Sequence, residues 1–174
     1  SPIGDTLPIL LALDSKIVLD GRKKKVIPIN SFFLSYRKTK LKKGQFIKSI
    51  SIPLLPKSFF FSRKVSKRID DDISTCLIAV SAEIKGQLIK KIKVAFGGLD
   101  ERPKRALKCE RILLNSPLND KIIDRAKESI SEEFSPISDV RASKNYRMIV
   151  AQNLLEKAMT EMKQKQMVET NVRN

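Results

Sequence analysis

The chain has 174 residues, 41% apolar and 31% charged, which suits one globular domain or one domain with part of another. It holds no histidine and only two cysteines, Cys76 and Cys109, so Ser–His–Asp and Cys–His nucleophiles, histidine acid–base chemistry, zinc centres and cysteine-ligated iron–sulfur clusters are excluded. Its net charge of +16 is uneven: residues 1–68 carry sixteen Lys/Arg against three Asp/Glu, and residues 69–174 nineteen against sixteen.

Along the chain, Asp5 or Thr6 is placed to cap a short helix through TLPILLAL, with Pro8 tolerated in its first turn. KIVLDGRKKKVIPI then reads as a β-hairpin about Asp20-Gly21, a pair suited to a tight type I′ turn. SFFLSYRKT (31–39) reads as a short helix or turn feeding a basic loop. In QFIKSISIP the alternation puts Phe46, Ile50 and Ile52 on one face and Ile47 and Ser49 on the other. Pro53 and Pro56 mark a boundary near residue 57.

Beyond that boundary, TCLIAVSAEI and LIKKIKVAF read as two strands joined at KGQ, the second half-exposed with Lys91 and Lys93 outward. GGL (97–99) ends the pair. Helical spacing follows in three runs: Ala106, Cys109, Ile112 and Leu113; Ile122, Ile123, Ala126 and Ile130; and Tyr146, Ile149, Val150, Asn153, Leu154 and Ala158. Ser143 is a fair N-cap for the last helix, and the tail after Lys163 is expected to fray. Strands followed by helices give an α+β order rather than alternating βαβ units.

The basic excess lies in RKKK (22–25), RKTKLKK (37–43) and SRKVSKR (62–68). Phosphate-backbone binding, solvated turns, an acidic partner subunit and an anionic cofactor each account for it. The longest apolar stretches are too short to span a bilayer, and the opening SPIGDTLP has no basic n-region and no initiator Met. A processed piece or cut-out of a longer chain, in a reduced cytoplasmic setting, is therefore expected.

Five stretches carry a resemblance: SPIGD at 1–5, FFLSYRKTKL at 32–41, KVSKRIDDDIS at 64–74, VAFGGLDERPKRA at 94–106, and SDVRASKNYR at 138–147 with NLL at 153–155. In that order and spacing they resemble the FAD-binding subunit or domain of the xanthine dehydrogenase-type molybdenum hydroxylases. The resemblance implies that residues 1–57 are the rear of the second FAD-binding subdomain. Residues 58–174 would then be the flavoprotein C-terminal domain, an antiparallel sheet packed against helices.

It further implies FAD as cofactor, with Asp5, Ile47 and Lys64 as flavin contacts and Asp71 in a nicotinamide-side loop. No catalytic residue and no metal ligand is implied on this chain. NAD or another molecule would accept the electrons, while molybdopterin and 2Fe–2S clusters would sit on partner domains. The glycine-rich loop that holds the FAD pyrophosphate in the family lies upstream and is absent here, so the upstream half of the FAD domain is an expected partner. Ser35 stands where many relatives have glycine, a less permissive backbone, and Arg37 and Lys38 are expected to face a neighbouring subunit. Read without the family, Asp5 is a helix cap, Lys64 a solvated charge, Ile47 a strand residue, and Asp72 or Ser74 the close of a turn. A basic nucleic-acid-binding module that uses the clusters of residues 22–68 is the rival function.

Overall fold

The computed structural model describes residues 3–55, 58–68 and 73–171, with side chains to residue 166. Helix α1 (Thr6–Ala12) forms where expected, and it buries Pro8, Leu10, Leu11 and Ala12. A three-stranded antiparallel sheet follows from β1 (Lys16–Asp20) and β2 (Lys25–Pro28), joined later in the chain by β5. Between them a 3-10 turn (Ile29–Ser31) leads into a small hairpin of β3 (Phe33–Ser35) and β4 (Lys38–Thr39). Strand β5 (Phe46–Ser51) then returns along β1 to give the order β2-β1-β5.

Two local expectations are corrected and one is narrowed. The β1–β2 link is a loop rather than a tight type I′ turn: Leu19 pairs with Lys25, and Asp20 pairs with Phe46 of β5. Asp20 is held there by Lys48 at 2.8 Å, and Gly21 (φ 145) passes so near the Gly44 carbonyl that a Cβ would collide with it. Residues 33–39 form a hairpin, so of the helix and turn alternatives the turn stands, at Tyr36 and Arg37, and its left-handed residue is Arg37 (φ 55), not Ser35. Serine in place of glycine thus meets no steric conflict in φ. In β5, Lys48 is an extra residue at a bulge, so Ile47 faces Leu19 and Ile50 faces Ile17. Cross-strand partners share a face, so Ile47 and Ile50 lie on the same side, contrary to simple alternation.

The second sheet has the order β6-β7-β8-β9, all antiparallel, from β6 (Phe59–Val65), β7 (Cys76–Lys85), β8 (Leu88–Gly97) and β9 (Lys104–Arg105). Lys85 pairs with Leu88 across the expected KGQ turn. Helices α2 (Leu107–Leu113), α3 (Asp120–Glu133, capped by the Asn119 side chain) and α4 (Lys144–Asn171) follow, which makes the fold α+β.

The run TCLIAVSA is apolar at consecutive positions because β7 is covered on both faces. Cys76, Ile78, Val80 and Ala82 join the core shared with the helices, whereas Leu77 and Ala79, with Ala95, pack against α1 and the first sheet. Ser81, on that second face, donates to the Ala12 carbonyl at 2.6 Å and pins the end of α1. Burying Leu10 and Leu11 there stabilises the contact by about 2 kcal/mol each. Strand β8 is half-exposed only in its first part; from Val94 onward both faces are buried.

Helix α4 buries Leu154 and Ala158, as its spacing suggests, but on a face rotated away from Tyr146 and Ile149. Ala151, Leu154, Leu155, Ala158, Met159 and Met162 are buried, together with Arg147, while Tyr146 and Ile149 are exposed. Ser143 caps it, accepting from the Tyr146 amide at 3.2 Å. The helix continues past Lys163 to Asn171, with Lys163 paired to Asp120 at 3.2 Å.

Candidate functional site

Asp5 occupies the N-cap position of α1 but does not cap it. Its backbone is helical (φ −62, ψ −32) rather than extended, and its side chain makes no capping bond. The carboxylate turns instead toward the second sheet. Lys64 donates to Oδ2 at 3.0 Å, and the Ser74 hydroxyl donates to Oδ1 in a short hydrogen bond.

Strand pairing explains how residues so distant in sequence meet. Lys64 lies opposite Leu77 and Val65 opposite Cys76, so the end of β6 runs beside the entrance of β7, where Ser74 stands. The Thr75 amide donates to the Val65 carbonyl at 2.8 Å and extends that pairing by one rung. The site is therefore a seam: a carboxylate from the first sheet's side, and an ammonium and a hydroxyl from the second.

Lys64 and Asp5 remain 38% and 29% exposed. Such pairs contribute only about 0–1 kcal/mol, so stability gives little reason for this one. A carboxylate acceptor beside an ammonium donor, both reachable from solvent, suits a ligand edge that alternates donors and acceptors. A separate cleft of about 460 Å³ is lined by Ile3, Tyr36, Arg37, Lys38, Glu101 and Arg102 among others, and by none of the three seam residues. Arg102 donates to the Phe33 and Leu34 carbonyls at 2.6 and 3.0 Å and ties the β3–β4 hairpin to the turn after β8.

Of the residues singled out from sequence, Asp5 and Lys64 are brought into direct contact. Ile47 lies in the other sheet, on edge strand β5, 46% exposed beside Leu19. Asp71 and its neighbours Asp70 and Asp72 fall outside the described residues. Sequence reasoning placed Ser74 only as a turn residue and missed its bond to Asp5; a separation of 69 positions leaves no spacing signal to find it by. The cysteines offer no chemistry: both are free and buried, and burial pushes the Cys76 thiol up to about 12 and that of Cys109 higher still. Among the described residues, no cluster of His, Cys, Asp or Glu is arranged to hold a metal ion, and no helix is long and apolar enough to cross a membrane.

Comparison with known proteins gives the chain's family. Residues 61–162 match the model of the CO dehydrogenase flavoprotein C-terminal domain, and residues 1–55 match that of the FAD binding domain in molybdopterin dehydrogenase. The chain belongs to the molybdenum hydroxylase flavoprotein family. Among its relatives, the glyceraldehyde dehydrogenase medium chain of Sulfolobus acidocaldarius is 30% identical over 92% of this chain and 57% of its own length. The xanthine dehydrogenase FAD-binding subunit of Escherichia coli O157:H7 is 28% identical over 90% of this chain and 55% of its own. The chain thus spans little more than half the length of these relatives. The fold of this flavoprotein-family chain matches that of a Cu,Mo-CO dehydrogenase structure with a TM-score of 0.86, at 20% identity over 92% of this chain and 56% of that one. Quinoline 2-oxidoreductase from Pseudomonas putida 86 matches with a TM-score of 0.81, at 17% identity over 96% of this chain and 60% of that one.

Proposed function

We propose that this chain forms the rear wall of an FAD site in a xanthine dehydrogenase-like molybdenum hydroxylase and is inactive alone. The observation that carries this is the meeting of Asp5, Lys64 and Ser74 at the seam between the two sheets. The donor set fits the group: an isoalloxazine edge alternates carbonyl acceptors with an N–H donor, and the seam offers the complementary ammonium and carboxylate. Asp5 and Lys64 would hold that edge, Ile47 would supply an apolar wall, and Asp71 would belong to the loop that receives a nicotinamide. An ammonium beside the ring favours added negative charge on it and so raises its potential. Bound FAD would pass electrons from iron–sulfur clusters to NAD or another acceptor.

The division at residue 57 belongs to the same proposal, with residues 1–57 as the rear of the FAD-binding subdomain and 58–174 as the C-terminal domain. So do the partners: the upstream half of the flavin domain, and iron–sulfur and molybdopterin subunits or domains. The names of the relatives, one a medium chain and the other an FAD-binding subunit, support a multi-chain setting. A cytoplasmic location accords with two free, buried cysteines.

The native full-length protein is expected to purify with a visible flavin absorption band, and Lys64→Ala to weaken FAD retention severalfold with a change in thermal stability of only about 0–1 kcal/mol. A native protein that lacks flavin and cannot be reconstituted with FAD overturns the proposal. Tight binding to nucleic acid with a steep salt slope would then favour the basic clusters as the functional surface. Unchanged flavin content and potential in Lys64→Ala would remove Lys64 from the site.

A further inference from the structure

Arg147 is the largest fully buried side chain among the described residues, 1% exposed on the inner face of α4. A buried guanidinium is costly unless it is well paired, and an apolar residue of similar volume often serves stability equally well. Its partners therefore matter. Nη1 donates to the Thr75 carbonyl in a short hydrogen bond and to the Gly98 carbonyl at 3.1 Å, and Nη2 donates to Asp139 Oδ1 at 2.7 Å.

Thr75 is the pivot of the seam. Its carbonyl is held by Arg147, and its amide donates to Val65. Ser74, bonded to Asp5, is the residue before Thr75; Lys64, also bonded to Asp5, is the residue before Val65. Both partners of Asp5 are thus covalent neighbours of backbone groups fastened at one point. Gly98 leaves room for the clamp: it adopts φ 82, and a Cβ there would stand 2.5 Å from the Thr75 oxygen and 3.2 Å from Arg147 Nη1. Asp139 braces the guanidinium while also accepting from the Arg141 and Ala142 amides.

We propose that Arg147 is a positioning residue for the flavin-facing site, setting Ser74 and Lys64 against Asp5 through Thr75; this rests on the flavin function proposed above. The rival, that Arg147 only closes the core, predicts lost stability with unaltered flavin properties.

The test uses the native full-length protein with four single variants: Arg147→Met, Arg147→Lys, Ser74→Ala and, as control, Glu110→Gln. Glu110 is also buried, ion-paired with Arg105 and accepting from the Val94 amide, and it bonds to neither Asp5, Lys64 nor Ser74. Arg147→Met and Ser74→Ala are each expected to weaken FAD binding roughly tenfold and to shift the flavin midpoint potential in the same direction. Their double variant should be no worse than the weaker single, because both act on one contact. Glu110→Gln should melt earlier yet keep wild-type affinity and potential. If Arg147→Met fails to fold, Arg147→Lys, which keeps the charge and loses the planar fork, carries the same readouts. A folded Arg147 variant with lowered melting temperature but wild-type affinity and potential overturns the proposal. So do additive effects in the double variant, or an equal FAD loss in Glu110→Gln. A wild-type protein that binds no flavin overturns the flavin function and this proposal together; a flavin-binding wild type with an indifferent Arg147 variant overturns this one alone.

Discussion

The Asp5 carboxylate gives its acceptor capacity to Lys64 and Ser74 rather than to the amides that open α1, and Asp139 does similar work for Arg147. Burial alone would raise the Asp139 carboxyl. The Arg141 and Ala142 amides and the Arg147 guanidinium outweigh that and hold it below the ordinary aspartate value. The sign follows: near pH 4 the folded form binds fewer protons than the unfolded chain, so this stabilisation is complete above about pH 4 and is lost as pH falls below it. Asp139→Asn should therefore cost about 1 kcal/mol at neutral pH, with the two stabilities converging in acid. Denaturation curves at pH 7 and pH 3 check this, and a constant gap would place the effect elsewhere. At this scale Asp5 and Lys64 stood out in sequence because each sits in a motif that resembles the family. Arg147 was not, because no hydropathy pattern puts an arginine inside a helix face.

Strand β7 shows how elements were and were not legible. Its unbroken apolar run signals burial on both faces, and the helices and α1 supply that cover. Strand β6 gave a weaker signal, since SRKV is dominated by charge although its backbone completes the sheet edge. The β3–β4 hairpin was hidden by its shortness, and the alternation of β5 by the bulge at Lys48. Helix α4 was found in sequence with its cap but with a rotated face, as Arg147 rather than Tyr146 turns inward. The tight entry of β7 makes Gly98→Ala a sensitive probe: positive φ and collision with the Thr75 carbonyl should destabilise by about 1–3 kcal/mol. Chemical denaturation measures it, and a near-neutral effect would mean that the β8 turn relaxes freely.

Across the whole molecule, the fold gathers charge that the sequence only scattered. Approach of Gly21 to Gly44 brings the loop carrying Arg22, Lys23 and Lys24 beside the one carrying Lys42 and Lys43, at one end of the first sheet. Asp20 is the nearby acid, already paired with Lys48. Replacing Lys23, Lys24, Lys42 and Lys43 by Gln should leave folding intact, slow association with the partner subunits proposed above, and flatten its salt dependence. Association kinetics at two ionic strengths test this; unchanged rates would return the clusters to the role of solvated turns. Sequence by itself determined the α+β order, the strand pair joined at KGQ, the capped last helix, the absence of histidine chemistry and the motifs that mark the family. Those depend on local propensity and residue type, which near neighbours in the chain suffice to express. Tertiary structure alone decided that Asp5, Lys64 and Ser74 converge and that Arg147 lies buried behind them. Contacts across 59 to 72 positions arise from strand register and helix packing, which no local pattern encodes.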